Sequence, residues 1–129
     1  MKDKSYACEP ITPGLTLFPT RRTFHESVHL CRVLGGQIAI ANTSAKSAAM
    51  MKLLATKKEE CSHEVWAGYE DEEEEGRFID VVNGQEMKWT NWNYGEPNGG
   101  RIENCATLKK GFNNDNSCDG EQKMCTLCE

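Results

Sequence analysis

No apolar run in this chain approaches the ~18 residues of a membrane-crossing helix, so membrane insertion by this domain is not expected. A basic excess is missing too. Fifteen Lys and Arg stand against twenty Asp and Glu, for a formal net charge of −5. The basic residues are scattered, which argues against nucleic acid as an electrostatic partner. The chain has no internal repeat and no Pro- or Ser-rich linker, and its one low-complexity tract is the run of six acids from Glu70 to Glu75. Nor does an apolar stretch follow Met1-Lys2-Asp3-Lys4-Ser5, as it would in a secretory leader. Residues 1–8 are therefore read as a tag or N-terminal extension in place of a native leader.

What the chain has in plenty is cysteine. Its 129 residues fit a single domain over 1–129, and 38% hydrophobic with 27% charged residues is a globular balance. Seven cysteines in that length point to a disulfide-stapled domain, secreted or the extracellular part of a membrane protein. The odd count leaves at least one thiol without a partner inside the chain. Asn42-Thr43-Ser44 is a glycosylation sequon consistent with that compartment.

The periodicities predict helices first and strands later. Leu15-Thr16-Leu17-Phe18 reads as a short strand closed by Pro19. Thr23-Phe24-His25-Glu26 is a capping box, and Phe24, Val28, Cys31 and Leu34 then recur at helical spacing until Gly35-Gly36. Ile38-Ala39-Ile40 reads as a brief buried strand. A second helix is expected from about Ser44 to Ala55, with Ala48, Met51 and Leu54 inward. Past Cys61 the helical period vanishes. Val65–Tyr69, Arg77–Ile79, Ala106–Leu108 and Met124–Cys128 read as strands separated by loops rich in Asn and Gly. That is an α+β pattern.

Long loops in a compact domain are usually functional. These hold oxygen donors in clusters: Glu96-Pro97-Asn98, Glu103-Asn104 and Asn113-Asn114-Asp115. Carboxylates, amides and carbonyls without nearby His or Cys suit a hard cation such as Ca2+. The alternative is that Asn, Gly and Glu merely decorate turns. His25 and His29 read as solvent-facing helix residues, and His63 has no motif around it. Cys125-Thr126-Leu127-Cys128 has the spacing of a redox or zinc motif, but zinc would need two further ligands at a matching spacing.

Trp66-Ala67-Gly68-Tyr69, Trp92, Glu96-Pro97-Asn98, Glu103-Asn104-Cys105, Asn114-Asp115-x-x-Cys118 and Leu127-Cys128-Glu129 occur in that order. Together they resemble the C-type lectin domain family in its calcium-dependent, mannose-type form, over Leu15 to Glu129. The resemblance implies a C-type lectin-like fold: two helices, two small antiparallel sheets and a long calcium-binding loop region. It implies disulfides Cys31–Cys128 and Cys105–Cys118. Cys8, Cys61 and Cys125 are left over for one further bridge and one free thiol, with the pair open.

By the same resemblance Glu96, Asn98, Glu103, Asn114 and Asp115 are the main Ca2+ ligands, with a cis peptide before Pro97. Asp71, Glu75 and Asn104 match auxiliary ligands, although Gly99 stands where a further acid is expected. Glu96, Asn98, Glu103 and Asn114 would then read sugar hydroxyls, their carboxylates accepting and their amides donating. The expected partners are mannose-type glycans (mannose, fucose, N-acetylglucosamine) on cells, microbes or glycoproteins, and the domain is expected within an oligomer or a larger parent protein. Paired carboxylates also occur in glycoside hydrolases, but carboxylates that neutralise calcium are not free to donate a proton. No enzyme activity is expected. The competing reading is a protein-binding or adhesion module on the same fold, without sugar. Asn113 replaces the family's tryptophan, so Phe112 is expected to fill that core space after a one-residue shift. The loop from Asn98 to Glu103 is short beside some sugar binders.

Overall fold

The computed structural model describes residues 14–100, 103–120 and 123–129. The elements run β1 (Thr16–Arg22), α1 (Phe24–Val33), α2 (Ser44–Leu54) with a 3-10 turn at Ala55–Lys57, β2 (Glu64–Glu70), β3 (Ile79–Asp80), β4 (Cys105–Lys109), β5 (Phe112–Asn116) and β6 (Met124–Cys128).

The capping box that opens α1 forms as its sequence requires. Thr23 Oγ1 accepts from the Glu26 amide at 3.2 Å, and Glu26 Oε1 accepts from the Thr23 amide at 2.9 Å. Phe24, Ser27 and Cys31 are the buried face, while Leu34, expected inside, is the C-cap and is 56% exposed. Gly35 follows at φ +89°, a left-handed conformation that ends the helix. On α2 the buried residues are Ser47, Met50 and Leu54, whereas Ala48 is exposed and Met51 only half-buried. Seven of its eleven residues are Ala, Met or Leu, so apolar spacing alone does not choose between neighbouring faces.

β1 does not stop at Pro19. It continues to Arg22, with a register shift against β6 between Phe18 and Arg22. Proline is tolerated there because β1 lies at the end of the sheet path β1-β6-β2-β4-β5. Two antiparallel groups, β1 with β6 and β2 with β3, β4 and β5, are joined where Val65 pairs in parallel with Cys125. Ile38-Ala39-Ile40 is buried and edges this junction: Ile38 bridges Cys128, and the Ala39 amide donates to Leu127 O at 2.8 Å.

Side-chain alternation along β2 divides the core. Val65, Ala67 and Tyr69 pack with Met50, Leu54, Leu108 and Leu127, while Trp66 packs with Phe24, Ile38 and Ile40. Gly68 is obligatory between them, because a Cβ there would overlap Ile40 and the Ala39 carbonyl.

Three disulfides close the fold. Cys31–Cys128 and Cys105–Cys118 form as the resemblance implies, and the open pair resolves as Cys61–Cys125. The Cys-x-x-Cys motif is thereby split between two bridges and is neither a dithiol nor a metal clip. Cys8 and the rest of the expected N-terminal extension lie outside the described residues.

The Cys61–Cys125 bridge closes a 64-residue separation, for which the chain-entropy model gives about 4 kcal/mol. Replacing both cysteines by alanine should lower unfolding free energy by roughly 2–4 kcal/mol in chemical denaturation, without changing the sheet signal in circular dichroism. An unchanged denaturation midpoint would contradict it.

Candidate functional site

The segment from Asn91 to Gly99 is laid against the end of the sheet by an aromatic cluster. Trp92 packs on Phe78 at 4.8 Å and on Tyr69 at 5.8 Å between ring centroids. It is then stitched to β5 through Asn113, which is fully buried. Asn113 Oδ1 accepts from the Asn91 amide at 3.0 Å, its Nδ2 donates to Thr107 O at 3.2 Å, and its carbonyl accepts from the Asn93 amide at 2.8 Å. Trp92 and Asn113 form a parallel bridge, so the loop is a partial extra strand. This corrects the expectation for Phe112, which does not move into the core: it is 45% exposed, and the buried position is kept by Asn113. Strand alternation forbids the one-residue shift, since it would reverse every side chain of β5.

Asp115, two residues on and on the same buried side, organises the ligand candidates. Its Oδ1 accepts from the Asn98 amide at 3.0 Å and its Oδ2 from the Gly99 amide at 2.9 Å. Its own amide donates to Glu96 Oε1 at 3.2 Å. The Glu96-Pro97 peptide is cis. Glu103 closes the cluster from the other side and packs so closely on Gly99 that a Cβ there would overlap it. This explains glycine where an acid was expected. The structure thus brings Glu96, Asn98, Glu103 and Asp115 together. Asn114 is the neighbour of Asp115 on β5, paired with Thr107, and strand alternation turns its side chain from the face that carries Asp115. Nothing in the sequence signalled that Asp115 clasps the loop backbone, or that Asn91 and Asn113 anchor it.

Crowding shows in the proton equilibria. Burial, followed by the hydrogen-bonded Asp115, pushes the Glu96 carboxyl up to about 7. Burial and then the charge of Asp115 raise Glu103.

The auxiliary candidates form a second acidic pocket, lined by Asp71, Glu72, Glu73, Glu75 and Asn104. Asp71 is 2% exposed; its Oδ2 accepts from the Gly76 amide at 2.8 Å, while its Oδ1 is buried without a hydrogen-bond partner. Burial raises its carboxyl to about 6, opposed by the Gly76 amide and reinforced by Glu75 and Asp115. Asn104 is tied in through its carbonyl, which accepts from the Asp71 amide at 2.8 Å. Converging carboxylates, an orphaned buried carboxylate oxygen and amide oxygens are a donor set that fits a hard dication.

The two helices, the mixed sheet and the three disulfides together define a C-type lectin-like module. A family comparison agrees: the Lectin C-type domain matches residues 20–129, and the chain belongs to that family. Tetranectin of Bos taurus is 32% identical over 99 residues, covering 74% of this chain and 48% of the relative, so the chain spans about half the length of the curated relatives it matches. Among solved structures, the mouse scavenger receptor C-type lectin carbohydrate-recognition domain superposes with a TM-score of 0.76 at 21% identity, covering 88% of this chain and 86% of that one. The cow CD23 carbohydrate-recognition domain, determined in the presence of GlcNAc2Man3 oligosaccharide, gives 0.73 at 25% identity, covering 88% and 84%.

The raised carboxyls fix the sign of the pH response without metal. A folded-state pKa above the unfolded one means that the native state holds more protons, so stability falls as pH rises through the window. For Glu96 that window runs from its ordinary 4.5 to about 7, and for Asp71 from 3.8 to about 6. In excess chelator, the melting temperature should therefore decline between about pH 5 and pH 7.5. A rise over that interval would show that these carboxylates are not crowded.

Asn113→Ala should cost about 1–3 kcal/mol by stranding the Asn91 amide and should loosen the loop. Hydrogen exchange at residues 91–93 reads this directly.

Proposed function

We infer that this domain binds Ca2+ through Glu96, Asn98, Glu103, Asn114 and Asp115 and, with it, mannose-type sugars. The observation that carries the reading is the convergence of Glu96, Glu103 and Asp115 on one another, with the Glu96 and Glu103 carboxyls raised by burial and by that proximity. A dication that removes this repulsion is held most tightly by the ionised set. Bound calcium would supply open coordination positions for two neighbouring sugar hydroxyls. Around them Glu96 and Glu103 accept hydroxyl protons, while Asn98 and Asn114 donate from their amides. Asp71, Glu75 and Asn104 are assigned to an auxiliary Ca2+ in the same way, supported by the unpartnered Asp71 Oδ1.

No bond is made or broken in this scheme, and the domain acts as a binding module rather than an enzyme. Its disulfides suit an oxidising compartment, so secretion or an extracellular position on a larger protein is the localisation proposed. No helix among the described residues is long and apolar enough to cross a membrane. The partners proposed are mannose-type glycans on cells, microbes or glycoproteins. A protein-binding module without sugar is the second reading. It is favoured by Tyr94, fully exposed on the loop at the candidate site, and by the half-exposed Phe112.

Binding to multivalent mannose, fucose and galactose surfaces, with calcium and with chelator, separates the two. Mannose and fucose should be retained only in calcium. Glu96→Gln combined with Asn98→Asp keeps net charge but exchanges donor and acceptor, and should shift preference towards galactose at about 1–3 kcal/mol per mismatched hydroxyl. Calcium-independent binding, or a swap without effect on preference, would refute the sugar reading.

Acid should weaken calcium binding, because protons compete for the same oxygens. With Glu96 at about 7, competition begins near neutrality, so isothermal titration at pH 7.5 and 5.5 should show lower affinity in acid and proton release on uptake. Equal affinity at both pH values would remove Glu96 from the ligand set.

A further inference from the structure

Outside the loop region, one cluster joins an imidazole to two carboxylates from three separate segments. His25 Nε2, near the start of α1, lies 3.0 Å from Glu72 Oε1 in the acidic run and 3.5 Å from Asp119 Oδ2 after β5. All three ligand atoms lie within 4.8 Å of one another. The backbones that carry them are fixed. Asp119 follows Cys118, whose disulfide joins it to Cys105. The Phe24 amide donates to Cys118 O at 2.8 Å, tying the first residue of α1 to that same turn. The His25 ring packs edge-on against Phe24 at 5.5 Å, and the Glu72 amide donates to Glu70 Oε1 at 2.7 Å.

A tetrahedral zinc with bonds near 2.0–2.1 Å holds its ligand atoms about 3.4 Å apart. The two separations from His25 Nε2, 3.0 and 3.5 Å, bracket that value. Imidazole is a poor ligand for calcium and a good one for first-row transition metals. The electrostatics favour a dication over a lone imidazolium, because the imidazole faces the carboxylates of both Glu72 and Asp119. The three side chains are exposed, which leaves the fourth coordination position to water or to a donor from a binding partner.

We propose that His25, Glu72 and Asp119 form a surface site for a divalent transition metal of the zinc class, distinct from the oxygen-only calcium site. Uptake forms bonds to Nε2 and one oxygen of each carboxylate, and any proton on Nε2 passes to solvent. Because Glu72 also lines the acidic pocket that holds Asp71, zinc would draw the 71–76 segment towards α1.

The test is isothermal titration of Zn2+ into the domain in excess calcium, which keeps the oxygen sites occupied, together with the visible absorption of Co2+ as a probe of nitrogen ligation. One zinc per chain is expected. His25→Gln should weaken it by at least about tenfold, equivalent to 1.4 kcal/mol, and abolish the Co2+ spectrum. Asp119→Asn should weaken it comparably, and His29→Gln, one helical turn away, should leave it unchanged. All three residues are exposed, so melting temperatures in calcium should match the parent chain and exclude misfolding as the cause. Absent zinc uptake in the folded parent would reduce the cluster to an ion pair and overturn the proposal. Uptake that survives His25→Gln, or that is lost in His29→Gln, would overturn the assignment as well.

Discussion

Met124 to Cys128, five buried residues near the end of the chain, hold the rest of the molecule in register. Strand β6 pairs with β1 on one side and meets β2 on the other, so both antiparallel groups depend on it. Cys125 and Cys128 lie in the same strand yet reach Cys61 and Cys31, fastening the connection after α2 and the body of α1 to one element. Thr126 Oγ1 donates to Ser27 Oγ at 2.6 Å beneath α1, satisfying two buried hydroxyls that would otherwise be costly. Because the chain ends must come together before this strand can pair, its contacts are non-local. The two bridges remove much of the entropy that opposes such closure.

With that half fixed, the other half can hold an arrangement that is poor for stability. Glu96, Glu103, Asp115 and Asp71 are drawn together against their own repulsion, and two of them keep protons towards neutral pH. Hydrogen bonds oppose part of the cost: Asp115 takes two backbone amides, and Asp71 takes one. The orphaned oxygen of Asp71 remains. Carboxylates gathered under a covalent restraint, here Cys105–Cys118, are what a cation site needs before its cation arrives.

The legible and illegible parts of the sequence divide along this line. The capping box of α1, Gly35 after it, and the apolar runs of β2, β4 and β6 were readable because local chemistry and burial agree there. By composition β5, Phe-Asn-Asn-Asp-Asn, is turn chemistry and predicts a loop. It is a strand because β4 pairs with it residue for residue and its buried amide finds partners in Asn91 and Thr107. No single-sequence signal reports such a partner. Pro19 likewise carries the signal of a strand end, although an edge strand tolerates it, and three leftover cysteines are compatible with any pairing, Cys61–Cys125 among them. The candidate ligand residues are legible only through the family resemblance. Gly99 packed against Glu103, and Asp115 clasping Asn98 and Gly99, could be found only in three dimensions.

The two acidic pockets are not independent. The Asp71 amide donates to Asn104 O, and Asn104 stands between Glu103 of the first pocket and Cys105 of the disulfide. Asp115 also raises the Asp71 carboxyl through its charge. A positive charge placed in either pocket therefore lowers the cost of ionising the other. By linkage the effect is reciprocal, so a cation in one pocket favours ionisation in the other to the same extent as that ionisation favours the cation. The 71–76 segment belongs to this circuit on one face and approaches His25 through Glu72 on the other. The six consecutive acids are thus more than a solvated surface. They form a short bridge of negative charge between α1 and the loop region, held at one end by the contact of Glu72 with His25 and at the other by the Asp71 amide on Asn104 O.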